Sequence, residues 1–205
     1  MKIQVPSSIE DIKLGDFQEF LTIDQPEPSD YFRIFLKIDD ISNIKASSIL
    51  EIVQHIDNLL NEATETKLVQ RFEFEGVFYG FIPKLDDISY GENKDITKYV
   101  NNFNTIHKAL SVLYRPITAT LNNTYLIEPY KGTTEGSDKF KDLPLSVAYG
   151  AKVFFYNLTK DLANFIAKYS TEEAVLTGSI KSGASTATYM RLQKEMLRKL
   201  SKLQR

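Results

Sequence analysis

Two histidines, His55 and His107, stand 52 positions apart, each within a stretch that reads as helix. An imidazole pair that grips a metal on a helix lies one turn apart, at i+3 or i+4. Neither histidine has such a partner, so structural or surface roles are expected of both. Gly178 to Ser185 has the glycine spacing of a phosphate loop, but Ala184 stands where the phosphate-contacting lysine is required, and no strong apolar strand precedes it. Asp86-Asp87 could serve as a general acid and base. Carboxylates beside a helix start also meet its free N–H groups and its dipole, and Glu10-Asp11 occupy the equivalent place in an earlier copy of the same phrase. The second role is the expected one. Ser146, Ser179 and Ser185 have no nucleophile-elbow context. The chain has no cysteine, which removes thiolate nucleophiles, disulfides and cysteine-ligated metals. The residues predict no catalytic site, no metal site and no cofactor, and therefore a protein that is not an enzyme.

The elements that surround these residues predict an α+β fold, mostly helical with short antiparallel β-hairpins. With 205 residues, 42% hydrophobic, the chain can bury a substantial core. A formal charge of −2 gives no general attraction to nucleic acid or to an anionic membrane. No apolar run approaches the roughly 20 residues of a membrane span, and Pro6 follows a short alternating segment with no apolar signal-peptide core, so cytoplasmic synthesis is expected. The glycosylation-like triplets "NNT" and "NLT" have no meaning without a secretion signal.

Lys2 to Val5 alternates and predicts a short strand stopped by Pro6. Leu14, Phe17, Phe20 and Leu21 follow at helical spacing. After the proline-broken "DQPEPSD", helices are expected over 31–38 and 46–62. "RFEFEGVFYGFIP" (71–83) predicts a hairpin turning at Glu75-Gly76. A helix limited by Pro116 follows, and "ITATLNNTYLIEPY" (117–130) predicts a second hairpin around Asn122-Asn123. Pro144 marks a helix start, and 145–169 is expected to be the most buried helix.

The opening phrase "VPSSIEDIKLGD" returns as "IPKLDDISYGE" at 82–92, with Ile9-Glu10-Asp11-Ile12 aligned to Leu85-Asp86-Asp87-Ile88 and Gly15-Asp16 to Gly91-Glu92. A duplicated strand–turn–helix unit, over 2–62 and 71–115, would place Ile12 and Ile88 in matching buried positions. Residues 1–175 then form the body, 176–188 a linker of small and polar residues, and 189–205 a basic helix. That last segment has six basic residues against Glu195, a net +5, which leaves about −7 on the rest. Arg191, Lys194, Met196, Arg198, Leu200, Lys202 and Arg205 are the candidate partner-binding residues. Such a helix could fold back on its own acidic body, dock on an acidic, partly apolar groove of another subunit, or touch packaged DNA. DNA contact is the least favoured, since the body's charge opposes it and Tyr189 is the segment's single aromatic residue.

At "GVFYGFIPKLDDISYGENKDITKYV", "LSVLYRPI", "YLIEPYKGT" and "LPLSVAYGAKVFFYNL" the chain resembles a family of virion-associated proteins of tailed bacteriophages, particularly the crAss-like phages of gut Bacteroidota. "VPSSIEDIKLGDFQEFL" is similar to the start of phage tail-assembly chaperones. The resemblance covers roughly residues 3–165, and Asn93-Lys94 departs from it where an aromatic residue like Phe17 is expected. It implies a structural or cargo protein carried in many copies in the capsid or tail and expelled into the host. Its partners would be phage structural proteins, such as portal, tail or other cargo copies, with no membrane involved. The alternative is a tail-assembly chaperone absent from the mature particle.

Overall fold

The computed structural model describes residues 3–63, 66–122, 124–132 and 136–176. It is an α+β fold with six α-helices and one four-stranded antiparallel sheet among those residues. The chain enters through a 3-10 turn at Ile9–Asp11, closed by a capping box. Ser8 Oγ accepts the Glu10 N–H at 3.3 Å, and the Asp11 carboxylate accepts the N–H groups of Ser7 and Ser8. Helix α1 (Leu14–Phe20) follows, with Leu14 and Phe17 buried.

Helix α2 (Pro28–Phe35) begins three residues earlier than expected, because Pro28 sits at its first turn, where no N–H is needed. It also ends earlier: Lys37 adopts a left-handed φ of 57°, and the Ile38 N–H returns to the Phe32 carbonyl at 3.0 Å. Helix α3 (Ala46–Glu62) spans the expected residues. Its stripe of Ile49, Ile52, Val53 and Ile56 packs on Tyr31 and Phe32 of α2, forming a satellite core.

The expected hairpins both form. Strands β1 (Arg71–Phe74) and β2 (Val77–Phe81) turn at Glu75-Gly76, whose φ values of 51° and 73° are those of a two-residue turn matched to strand twist. Strands β3 (Tyr114–Leu121) and β4 (Thr124–Ile127) turn beyond Asn122, at φ 54°. The sheet runs β1-β2-β3-β4. Between β2 and β3 come helices α4 (Tyr90–Tyr99) and α5 (Ile106–Leu113). Pro116 does not end α5 from outside. The strand starts at Tyr114, and Pro116 lies inside it, paired with Tyr79 and accepting the Glu128 N–H through its carbonyl.

Helix α6 (Leu145–Leu176) is the last described element. Among its described side chains the first part is core: Leu145, Ala148 and Ala151 are fully buried, whereas Tyr156 is exposed. Among the described side chains the most buried helix is instead α5, in which Ile106, Ala109, Leu110, Val112 and Leu113 have no exposure. These residues pack with Phe81 and Tyr114 at the centre of the main core.

No strand forms at residues 3–5, which pair with neither outer strand of the sheet; the segment is tied down instead at Pro6, whose carbonyl lies 2.8 Å from His55 Nε2. The chain pairs a few residues later, where the Leu14 N–H reaches the Leu143 carbonyl and the Leu145 N–H reaches Ile12, each within 2.9 Å. The repeated phrase accordingly shares a 3-10 turn and a helix start, at Ile9–Asp11 with Leu14 and at Leu85–Asp87 with Tyr90, but not a preceding strand. Burial is exchanged between the copies. Ile12 is buried and Ile9 half-buried; Leu85 is buried and Ile88 only half-buried.

Candidate functional site

In an antiparallel order β1-β2-β3-β4, the β1–β2 and β3–β4 turns fall at the same end of the sheet. Tyr79, Phe81 and Tyr114 cover one face toward the helices. Toward the turns the helices run out and the apolar residues do not. Val77 lies on the same face as Tyr79. A register shift between Ile117 and Ala119 places Leu126 opposite Ala119 and brings Leu121 to that face. Leu121 is 74% exposed, Leu126 66% and Val77 39%. Phe78, 59% exposed, points to the opposite face of the same end. Four exposed apolar residues around two adjoining turns make the sheet end the most apolar exposed patch that the described strands present.

Behind this end the second face of the sheet is sealed by Tyr125. Its ring lies against Gly80, its hydroxyl donates to the Phe81 carbonyl at 2.7 Å, and Arg71 sits 5.4 Å over the ring. Any side chain at Gly80 would collide with that ring. The turns and bulge are thus set on a rigid base.

Three buried titratable groups, His107, Glu92 and Arg115, are engaged within the fold. Gln18 Nε2 lies 3.0 Å from His107 Nδ1 and 2.5 Å from the Phe103 carbonyl. The amide nitrogen is the donor in both, so Nδ1 accepts and the neutral ring carries its proton on Nε2. That nitrogen faces Asp138 Oδ1 at 3.7 Å, while Asp138 itself pairs with Lys141 at 2.8 Å. Burial, assisted by Lys141 and opposed by Asp138, pulls the His107 pKa down to about 4. A ring whose one lone pair is already bonded has none left for a proton or a metal.

Glu92 and Arg115 form a second buried pair at 2.6 Å. The other carboxylate oxygen of Glu92 accepts the Ser89 N–H at 2.6 Å, closing the capping box of α4. Burial alone would raise the Glu92 pKa, but the Ser89 bonds and the Arg115 charge more than offset it and hold the carboxyl below its ordinary value. Tyr130 lies against Gly91 and donates to Asp95; burial and that bond push its pKa up to about 12. Asp86 and Asp87 are exposed in the turn before α4 and are not brought to any second titratable pair. Among the described residues no group of three histidines, cysteines or carboxylates could hold a metal, and no helix is long and apolar enough to cross a membrane. Beyond the sheet end, an open groove of about 350 Å³ between α2 and α3 is lined by Pro28, Ile41, Ile49 and Leu50.

The candidate residues Arg191, Lys194, Met196, Arg198, Leu200, Lys202 and Arg205 lie outside the described residues, as does the glycine-spaced segment 178–185. Sequence reasoning missed the sheet end, although its signal was present: Val77, Leu121 and Thr124 directly flank the turns, where strand ends pass beyond the core. It also missed Gln18, which stands four residues after Leu14 and so on the buried stripe of α1. No family model, no curated protein and no solved structure matches the chain.

Proposed function

We propose that the chain is a non-enzymatic bacteriophage virion protein, a structural or cargo component held in the capsid or tail by protein–protein contacts. The resemblance of its sequence to virion-associated proteins supports the phage assignment. The observation that carries the binding role is the exposed apolar end of the sheet, where Phe78, Leu121 and Leu126 offer large side chains on a rigid support. The engagement of His107 with Gln18 and of Glu92 with Arg115 and the Ser89 N–H, all within the fold, supports the non-enzymatic part.

The same surface suits a second reading, a tail-assembly chaperone that shields an apolar tail protein until it polymerises. Quantitative mass spectrometry of purified particles of the encoding phage distinguishes the two. Many copies per particle are expected of a structural or cargo protein. Abundance in infected cells with absence from particles would replace that reading with the chaperone.

A further inference from the structure

The groove between α2 and α3 is apolar within and acidic around. Pro28, Ile41, Ala46, Ile49 and Leu50 line it, with Glu27 and Ser29 as its polar side chains. Leu50 stays 66% exposed there. Asp39 and Glu51 are exposed within two residues of the lining. Glu27, Asp39 and Glu51 enter none of the ion pairs among the described residues, in which Arg33 is held by Glu19 and Asp30, and Lys37 by Asp16. The local acidity reflects the whole chain. Residues 1–63 hold twelve carboxylates against five lysines and arginines, a net −7, whereas residues 64–188 hold fourteen of each. The acidic excess of the body therefore lies in the part that contains α1, α2 and α3, and none of it in the sheet.

The complement of that charge is the net +5 of residues 189–205. On a helical wheel, Tyr189, Leu192, Met196, Leu200 and Leu203, at spacings of three, four, four and three, fall on one stripe. Arg191, Arg198, Lys202 and Arg205 fall opposite it, and Lys194 and Lys199 border the apolar arc on its two sides. An amphipathic helix binds by laying its apolar stripe in an apolar groove, and complementary charge at the rim selects which groove it takes. We propose that residues 189–205 dock as a helix in the α2–α3 groove of their own chain. The stripe lies against Ile41, Ile49 and Leu50, and the bordering lysines meet the acidic rim.

The connecting chain is long enough. Helix α6 carries the chain about 30 Å from Tyr156 to Leu176, at 1.5 Å per residue. The twelve residues 177–188 span about 40 Å when extended, so the basic segment can come back to the body that α6 leaves. Charge also separates this groove from the apolar sheet end. Residues 64–188, which supply that end, carry no net charge to attract a basic helix. The docking is independent of the role proposed for the sheet end.

Thiol labelling of the full chain tests the proposal. The chain has no cysteine, so Leu50→Cys gives it a single thiol in the groove. Alkylation of that thiol by iodoacetamide should be about tenfold slower than in a chain that also carries Leu192→Ser, Met196→Ser and Leu200→Ser. Asp39→Lys with Glu51→Lys should likewise speed it. Leu50, Asp39 and Glu51 are exposed, so the body's circular-dichroism signal should be unchanged throughout. Equal alkylation rates with and without the serine substitutions would overturn the proposal. Cross-linking identifies the seat. A full chain with Leu50→Cys and Met196→Cys, oxidised at micromolar concentration, should form an intramolecular disulfide. Disulfide-linked dimers in its place would put the segment in the groove of a second copy. Faster linkage of Met196→Cys to Val77→Cys than to Leu50→Cys would put it on the sheet end. Either result would refute the docking.

Discussion

Acidification should destabilise the fold through His107, and the geometry fixes both the sign and the window. The unfolded imidazole takes up a proton near pH 6.5, whereas the folded ring resists it until about pH 4, because it is buried and its Nδ1 is already accepting from Gln18. The folded state thus binds fewer protons between these values. The contribution of His107 is full above pH 6.5, falls as the pH drops through the window and is gone below about pH 4. At about 1.4 kcal/mol for each tenfold in the protonation equilibrium, the loss amounts to up to about 3 kcal/mol. Urea unfolding of the wild type and of His107→Gln should be compared across the window. Glutamine cannot titrate, and its oxygen can accept from Gln18. Its variant should begin less stable by about 1 kcal/mol and lose less as the pH falls, so that the two curves converge. Carboxylates titrate in both proteins and cancel in the difference. Parallel curves would refute the buried, neutral histidine and the tautomer assigned to it.

Three further outcomes test the packing. Gly80→Ala forces a methyl into the Tyr125 ring, pinned by its hydroxyl to the Phe81 carbonyl, and should cost about 2 kcal/mol in urea unfolding; the penalty should shrink in a Tyr125→Ala background. Gly150→Ala meets the Lys67 carbonyl, which is backbone and cannot swing aside; a loss of about 3 kcal/mol is expected by thermal or urea unfolding, and a neutral result would contradict the seating of α6 on the 67–68 segment. Glu92→Gln removes the charge partner of buried Arg115 and should cost about 3 kcal/mol, where a surface pair such as Lys13–Asp142 should show less than about 1 kcal/mol on the same substitution.

Local signals carried much of this fold. The Glu75-Gly76 and Asn122-Asn123 turns lie between alternating aromatic and β-branched runs, and both hairpins formed where the pattern placed them. The 3.6-residue stripe of α3 likewise marks both of its ends. Misreadings arose where tertiary pairing overrode local pattern. Ile3–Val5 alternates like a strand but joins no sheet, and the chain's N-terminal segment bonds instead at Ile12 and Leu14 to the entrance of α6. Pro116 reads as a helix stop, yet its carbonyl side completes the pairing of β3 with β4. The polar clusters were not legible, because Gln18 meets His107 across 89 residues and Glu92 meets Arg115 across 23, and no local period encodes either contact. The apolar sheet end was hidden for a simpler reason: alternation announces a buried face and says nothing of how far the covering helices extend along it.

The proposed function rests on the exposed sheet end binding the chain into a virion. Its most direct test is the copy number in purified particles of a variant carrying Phe78→Ser, Leu121→Ser and Leu126→Ser, supplied in place of the wild-type protein. All three residues are largely exposed, so the variant should fold with the wild-type circular-dichroism spectrum and unfolding midpoint. It is expected to stay soluble in infected cells and to be lost from particles. A folded variant incorporated at the wild-type copy number would contradict it.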